Sequence, residues 1–205
     1  MINTEFPLVF SSEEGKDWLK GSYKAPLKAL AAKERSGEII RLRRGLYAFK
    51  EGLDPLKCAY RLHEPSYISF ETALAYYGLI PERVEQVISV VDGRPAKYLA
   101  AATRFIYHSQ SRPLFALGMG LTFIDGQAIP IAIPEKAVLD TLALVGLKAR
   151  GLSTSDVLEY VVGSLRIDFE DLGRLSLPKM KKMAPLYRNL APKMLTEELA
   201  KIRRK

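Results

Sequence analysis

The segment EIIRLRRGLYAF, residues 38–49, constrains the fold more than any other part of the chain. Apolar and basic residues alternate before a single glycine, and apolar residues follow it, as in two short strands joined by a tight turn. Gly45 allows the positive φ that such a turn requires. The pattern therefore predicts strands Ile39–Arg43 and Leu46–Phe49, joined around Arg44-Gly45.

The hairpin gathers three arginines, Arg41, Arg43 and Arg44, on its outer side and at its tip. Side chains alternate along a strand, so Ile40 and Leu42 would face a core while Arg41 and Arg43 face outward. Exposed like charges repel only modestly in water, where salt screens them over about 10 Å. Two explanations stay open: the arginines contact an acidic partner such as phosphate, or they protect an exposed strand edge from pairing.

The residues before the hairpin predict two helices. Ser11-Ser12-Glu13-Glu14 has the hydroxyl cap and first-turn acids of a helix start, and this helix should continue to Trp18-Leu19. A second helix is predicted from Lys24 to Ser36, with Pro26 in its first turn and Gly37 at its end. Helix, turn, helix and hairpin in this order predict a winged helix-turn-helix domain over residues 1–52.

The second helix should have an apolar side formed by Leu27, Leu30 and the stem of Glu34, with a basic side next to it. A basic helix beside a basic hairpin is typical of proteins that bind double-stranded DNA, although an ordinary solvated helix face is the alternative. Phosphate and base contacts are then predicted for Ser22, Tyr23, Lys24, Lys28, Arg35, Arg41, Arg43 and Arg44.

Residues 53–205 predict a second domain of mixed α and β structure, so that the fold class of the chain is α+β. One helix is expected around Leu56–Leu62, and a second should begin with Ser69 as its cap and end at Gly78. Four strands are expected at residues 86–91, 103–108, 121–124 and 128–133, the last two joined by Asp125-Gly126. A helix should run from Pro134 to Gly146, and the chain from Ser153 onward should be mostly helical.

The net charge of +8 is unevenly distributed, with +4 in residues 1–50, −3 in residues 51–178 and +7 in residues 179–205. Two basic ends around a mildly acidic middle suggest a surface for a polyanion, although such charges can also be merely solubilising. We therefore predict that Lys179, Lys181 and Lys182 extend the DNA footprint. Arg203 and Arg204 could do the same, or could simply suit the C-terminal end of a helix.

Little in the sequence indicates chemistry. Cys58 is the only cysteine, which excludes an intrachain disulfide, and His63 and His108 lack the spacing of a metal site. Glu135, Lys136 and Asp140 could be a nuclease-like acid and lysine set that holds Mg²⁺. A helix packed in the interior fits their spacing better, because no second acid lies on a neighbouring strand. We expect no catalytic residue, metal or cofactor.

Three segments together resemble the AbiE-type antitoxins, the transcriptional-regulator component of type IV toxin–antitoxin systems first met in phage abortive infection. They are RLRRGLYAF, PSYISFETALAYYGLIPE and IAIPEKAVLDTLAL, in the order found in that family. The resemblance implies an N-terminal winged helix that represses its own operon at inverted repeats. It also implies a C-terminal domain that counteracts a nucleotidyltransferase-like toxin as a functional partner, for which a stable complex is not required.

The sequence thus favours a DNA-binding repressor and antitoxin, present as a monomer or as a weak dimer on DNA. Two other classes stay open: an adaptor or dimerisation module that does not bind DNA, and a Mg²⁺-dependent nuclease. No apolar run approaches the roughly 18 residues that a membrane span needs, and the acidic N-terminal residues do not resemble a secretory signal. With a single cysteine, the expected location is the reducing cytoplasm.

Overall fold

The computed structural model of the chain describes residues 7–20, 24–82, 85–144 and 153–204. The fold is α+β, as predicted. Its N-terminal unit contains a three-stranded antiparallel sheet in the order β1-β3-β2 and two helices. The elements of this unit are β1 (Val9–Ser11), α1 (Ser12–Leu19), α2 (Pro26–Ser36), β2 (Ile39–Arg43) and β3 (Leu46–Phe49).

Short-range interactions define the ends of these elements. Ser11 caps α1 through a capping box. The Ser11 hydroxyl accepts a hydrogen bond from the Glu14 backbone amide, and the Glu14 carboxylate accepts one from the Ser11 backbone amide. Gly37 ends α2 in the left-handed conformation, with φ of 76°. Gly45, with φ of 77°, lies in the turn that joins β2 to β3. The predicted helix start, helix end and hairpin are all confirmed.

An aromatic cluster holds α1 and α2 against one face of this sheet. The Phe10 ring lies 5.2 Å from the Phe49 ring, which in turn lies 5.1 Å from the Trp18 ring. Only Ala29 and Leu30 of α2 are buried against this cluster, because the three large rings already fill the space below the helix. The predicted apolar side of α2 was therefore wrong in one position: Leu27 is 57% exposed.

The rest of the chain forms a mixed six-stranded sheet, in the order β6-β7-β5-β4-β9-β8, and eight helices that complete α1–α10 among the described residues. The strands are β4 (Ser66–Ile68), β5 (Gln86–Val91), β6 (Ala96–Ala100), β7 (Thr103–Ser109), β8 (Met119–Ile124) and β9 (Gln127–Ala132). The helices are α3 (Pro55–Leu62), α4 (Phe70–Tyr76), α5 (Arg112–Phe115), α6 (Pro134–Leu144), α7 (Thr154–Glu159), α8 (Phe169–Arg174), α9 (Leu177–Met183) and α10 (Ala191–Ile202). A π-helical turn over residues 160–164 continues α7, and a 3₁₀ turn over residues 184–186 follows α9.

The N-terminal unit and α3 lie on one face of the six-stranded sheet. The hydroxyl of Tyr107 in β7 donates to the carbonyl of Ala59 in α3 at 2.7 Å, which places α3 on the face toward which Tyr107 points. Arg61 of α3 forms an ion pair of 2.7 Å with Glu14 of α1. This contact joins the N-terminal unit to the outer side of α3.

The helices α4 and α6 lie on the opposite face of that sheet. His108 follows Tyr107 in β7 and so points the other way, and its ring lies 5.1 Å from that of Phe70 at the start of α4. Tyr67 of β4 points to the same side, where Lys136 of α6 lies 5.9 Å from the centre of its ring. Because α6 also contacts α9 and α10, the C-terminal helices lie on this second face.

The predicted strands and helices of this region are largely confirmed, with shifts of one or two residues at their ends. Strands β1, β4 and β6 were missed, because three to five residues are too few to show a period when the neighbouring segments are also apolar. Ser69 does stand at the N-cap of α4, as predicted, but its hydroxyl makes no cap hydrogen bond. The predicted end of α6 at Gly146 lies outside the described residues, and the last described residue of α6 is Leu144.

Candidate nucleic-acid interface

The exposed side of α2 and the residue that precedes its N-cap are basic. Lys24, two residues before the first helical residue Pro26, and Lys28 and Arg35 within the helix are all exposed, and none has an ion pair among the described residues. The residues between them on this side, Leu27, Ala31 and Ala32, are also exposed and are uncharged. A helix of 11 residues is about 16 Å long, so this face offers three cations over the length of one docked helix.

The neighbouring side of α2 holds its charges in contacts with the rest of the unit. Lys33 forms an ion pair of 2.5 Å with Glu38 and lies 5.2 Å above the centre of the Trp18 ring. Glu34 forms an ion pair of 2.7 Å with Arg41 of β2. This second pair joins α2 directly to the hairpin, so that the two basic elements lie side by side.

The three arginines of the hairpin have different environments. Arg41 also lies 5.6 Å from the centre of the Tyr47 ring, and its pKa is raised above the ordinary value, first by the hydrogen bond to Glu34 and then by Tyr47. Arg43 follows a bulge in β2 and donates through Nε to the carbonyl of Leu62 at 3.0 Å. Arg44 is exposed at the tip of the turn and has no hydrogen bond or ion pair among the described residues.

Arg41 and Arg43 face outward, as predicted, but both also have contacts within the protein. The bulge between Arg41 and Arg43 turns Arg43 toward the last carbonyls of α3, where a cation is stabilised by the negative end of the helix dipole. Arg43 is still exposed over part of its side chain. The cations left for a partner are therefore Arg44 and, if phosphate displaces Glu34, Arg41. Ser22 and Tyr23 lie outside the described residues.

The C-terminal basic residues are not part of this surface. Lys179, Lys181 and Lys182 lie on α9, which packs against α6 on the opposite face of the six-stranded sheet. The Lys179 ammonium lies 3.8 Å from a Glu135 carboxylate oxygen. The structure therefore separates the two basic ends that the sequence suggested as one surface.

Arg203 has a structural contact. Its guanidinium donates to three carbonyls at the end of α8, those of Leu172, Gly173 and Leu175, at 3.0, 2.7 and 2.6 Å. The end of a helix leaves such carbonyls without partners, and a cation there also suits the dipole. Arg203 therefore caps the C-terminal end of α8 instead of that of its own helix. Arg204 is exposed and lines a groove beside α10.

The candidate catalytic set lies inside the protein. Lys136 and Asp140 are both completely buried, and their charged groups lie 2.5 Å apart. Burial lowers the pKa of Lys136 below its ordinary value, and the Asp140 charge opposes this effect. Glu135 is buried as well and accepts a hydrogen bond of 2.9 Å from the Ser176 amide. These contacts connect α6 to its neighbours, as expected of a helix packed in the interior.

Three further residues, which the sequence did not indicate, complete the hydrogen bonds of this buried cluster. Ser69 donates to one Asp140 oxygen at 2.6 Å, and Gln110 and Tyr187 donate to the other at 2.5 and 2.6 Å. Gln110 also accepts from Lys136 at 2.8 Å. Four segments far apart in sequence meet at Asp140, and no local pattern in any of them could have predicted it.

The remaining reactive side chains are also held in packing contacts. Cys58 is buried, and burial raises the pKa of its thiol to about 12, so the thiolate is scarce at neutral pH. His63 makes a hydrogen bond of 2.8 Å with the Tyr98 hydroxyl. Within residues 7–20, 24–82, 85–144 and 153–204, no three His, Cys, Asp or Glu side chains come together as metal ligands. In the same ranges no helix has the length and apolar character needed to cross a bilayer.

Comparisons with known proteins bear on the fold. No protein-family model matches the chain, and no curated protein matches its sequence. The chain is similar in structure to the Rv2827c protein from Mycobacterium tuberculosis, known from a crystal structure. The TM-score is 0.50 at 12% identity, over 95% of this chain and 76% of that one. At this identity the similarity supports a shared fold alone.

Proposed function

We propose that the N-terminal unit, predicted as residues 1–52, is a winged helix-turn-helix that binds double-stranded DNA. In this proposal α2 is the recognition helix and the β2–β3 hairpin is the wing. The observation that carries the proposal is the exposed face of α2, where Lys24, Lys28 and Arg35 have no ion pair among the described residues. The ion pair of 2.7 Å between Glu34 and Arg41 supports it, because it keeps the hairpin beside that face.

The physical fit is straightforward. The major groove of B-DNA is about 12 Å wide and admits one helix, and its walls are rows of phosphates. Cations along α2 can contact base edges and the nearer phosphates, while Arg44 at the hairpin tip can reach the backbone next to the groove. Arg41 can join it once its ion pair with Glu34 opens, since an exposed pair of this kind contributes only about 0–1 kcal/mol.

We further propose that the protein represses its own operon and acts as an antitoxin against a nucleotidyltransferase-like toxin. This part rests on the resemblance of three sequence segments to the AbiE-type antitoxins. In this proposal the domain predicted as residues 53–205 counteracts the toxin, and a stable complex between the two is not required. Co-expression with the product of an adjacent nucleotidyltransferase-like reading frame tests the antitoxin role.

The DNA-binding proposal is tested by removing three cations from the proposed surface. We expect Lys24→Ala, Lys28→Ala and Arg44→Ala together to weaken binding to a duplex from the promoter of this gene at least tenfold at moderate salt. The slope of log affinity against log salt concentration should become less negative by about 2.7 if each cation neutralises one phosphate. Fluorescence anisotropy titrations at several salt concentrations measure both quantities.

The matched control removes the same charge from the other side of the molecule. Lys179→Ala, Lys181→Ala and Lys182→Ala together should leave the affinity for the same duplex within twofold, because α9 lies on the far face of the six-stranded sheet. An equal loss in the two triple variants would show that net charge, rather than the α2 face, determines binding. Unchanged binding in both would contradict the proposed surface, and no binding of the duplex by the unaltered protein would favour an adaptor without DNA binding.

One observation supports the adaptor alternative. The edge strand β8 exposes Met119, Leu121 and Phe123 on one side, to 52%, 63% and 68%. An uncharged edge strand with an apolar side is a surface on which another chain can pair. The titration of the unaltered protein distinguishes the alternatives, because an adaptor without DNA binding would not bind the duplex at all.

The exposure of Leu27 predicts how the recognition helix discriminates between bases. Leu27 is the second residue of α2, at the end of a recognition helix that contacts base edges. An apolar side chain there can cover the methyl group of thymine. Leu27→Ala, or deoxyuridine in place of thymidine in the duplex, should each weaken binding about fourfold, which corresponds to burial of one methyl group.

Combining the two changes tests whether they act on one contact. If Leu27 covers a thymine methyl, deoxyuridine should have little further effect on the Leu27→Ala protein. Leu190→Ala, which truncates another exposed leucine on the C-terminal side, serves as the control and should bind both duplexes as the unaltered protein does. Independent, multiplicative losses would contradict the proposed contact.

A further inference from the structure

A groove of about 380 Å³ lies between α10 and the chain that leaves α9. We call it the C-terminal groove. Its volume falls within the range of roughly 300–1,000 Å³ that is usual for ligand cavities. One wall comes from the end of α9 and the following 3₁₀ turn, and the other from one side of α10. The lining residues are Lys181, Ala184, Pro185, Lys193, Thr196, Glu197, Ala200, Lys201 and Arg204.

The floor of the C-terminal groove is apolar. Ala184, Pro185 and Ala200 provide it, and their small side chains create the depression between the two walls. Thr196 is almost fully buried, and its hydroxyl donates to the Pro192 carbonyl within the same helix at 2.7 Å. The hydroxyl proton of Thr196 is therefore not available for a hydrogen bond to a ligand, and the floor favours apolar groups.

The rim of the groove is strongly basic. Lys181, Lys193, Lys201 and Arg204 surround the floor, and Glu197 is the one carboxylate among the described lining residues. Lys201 already forms an ion pair of 3.0 Å with Glu198, which lies outside the lining. The nearest Lys193 and Glu197 atoms are 3.9 Å apart, at the outer limit for an ion pair. Lys181 and Arg204 have no ion pair among the described residues. The rim therefore has an excess of positive charge that an acidic partner would neutralise.

We propose that the C-terminal groove binds an amphipathic acidic segment of a partner protein. Apolar side chains of that segment would cover the floor, and its carboxylates would pair with Lys181, Lys193 and Arg204, since Lys201 is already paired with Glu198. Charge complementarity indicates an acidic partner, and the apolar floor favours a peptide, because a peptide can place apolar side chains over Ala184, Pro185 and Ala200 whereas a duplex presents its phosphates to a basic surface. The groove lies across the six-stranded sheet from α2, so this proposal does not depend on DNA binding.

The proposal is tested with a fluorescein-labelled helical peptide of Glu, Leu and Ala, titrated into the full chain and followed by anisotropy. The protein should bind this peptide, and Lys193→Ala with Arg204→Ala should weaken the binding at least tenfold. Ala200→Glu, which places a carboxylate on the floor, should weaken it by a similar factor. Lys20→Ala with Lys50→Ala removes the same charge from exposed positions on the N-terminal unit and should leave the binding unchanged.

Two further probes distinguish a peptide groove from a general anion site. A peptide in which every Leu is replaced by Gln keeps the charge and should bind at least fivefold more weakly. A 20-base-pair duplex should not displace the labelled peptide from the Lys24→Ala, Lys28→Ala, Arg44→Ala protein. Equal binding of the two peptides, displacement by the duplex, or no effect of the groove variants would overturn the proposal. Thermal melting by circular dichroism confirms that each variant is folded.

Discussion

Asp140→Asn will lower the free energy of unfolding by about 3–5 kcal/mol, because it removes one partner of a buried ion pair and leaves the other charge uncompensated. Lys136 and Asp140 have no exposed surface, and their charged groups are 2.5 Å apart. Asparagine has nearly the same shape as aspartate, so the loss measures charge rather than volume. Denaturation by urea, followed by circular dichroism, measures it.

The hydrogen bonds around Asp140 explain why asparagine is a poor replacement. Lys136, Gln110 and Tyr187 all donate to a single Asp140 oxygen, and Ser69 donates to the other. An asparagine side chain has only one acceptor oxygen, and its NH₂ group would meet one of these donors. At least one buried donor would then lose its partner, which by itself costs about 1–3 kcal/mol.

The chain contains a matched control for this variant. Glu170 and Arg174 are also an acid and a base four residues apart on a helix, but both are largely exposed. Glu170→Gln should cost less than about 1 kcal/mol, as is usual for exposed pairs. A loss for Asp140→Asn no larger than that for Glu170→Gln would contradict the buried charge.

The parts of the fold that local interactions determine could be predicted from the sequence. The cap at Ser11, the end of α2 at Gly37 and the turn at Gly45 each depend on residues within four positions of one another. The hairpin strands and most other elements followed from the same short-range patterns. The exposure of Lys28 and Arg35 on α2 was predicted as well, from their helical spacing, whereas Lys24 lies before the helix, which begins at Pro26 and not at Lys24.

The orientation of side chains toward distant segments could not be predicted. Leu27 was expected to hold α2 in place, but the rings of Phe10, Trp18 and Phe49 fill the space beneath that helix and leave Leu27 exposed. Arg43 was expected at the wing tip, but the carbonyl of Leu62, nineteen residues away, is its hydrogen-bond acceptor. Both outcomes depend on which segment lies opposite, and that information is absent from a local pattern.

For the same reason, the separation of the two basic ends of the chain could not be predicted. Their charges suggested one surface, but the six-stranded sheet lies between α2 and α9. That sheet depends on β4, which is only three residues long, and on the parallel pairing of β5 with β7. Parallel strands are not joined by a short turn, so the sequence between them does not indicate that they pair. Ser69 shows the effect at a single residue, since its cap position was predicted while its hydrogen bond to Asp140 was not.

Gly118→Ala is the second substitution for which we expect a large loss, of about 2–5 kcal/mol in the free energy of unfolding. Two effects add. Gly118 has φ of +72°, a conformation that costs other residues roughly 1–2 kcal/mol. A Cβ atom would also lie 2.8 Å from both the Lys136 Cβ and the Met183 sulfur, and such overpacking typically costs about 1–3 kcal/mol.

Gly126→Ala separates these two effects. Gly126 has a similar φ, +77°, but a Cβ atom there would meet nothing within 4 Å, so this variant should lose only the backbone contribution of roughly 1–2 kcal/mol. The Met183 sulfur ends a flexible side chain and can move aside, whereas the Lys136 Cβ is fixed to α6 and cannot. Urea denaturation of both variants gives the difference, which we attribute to displacement of Lys136 and its bond to Asp140. Equal losses in the two variants would mean that backbone conformation alone accounts for the effect, and that the close approach of Gly118 to α6 contributes nothing to stability.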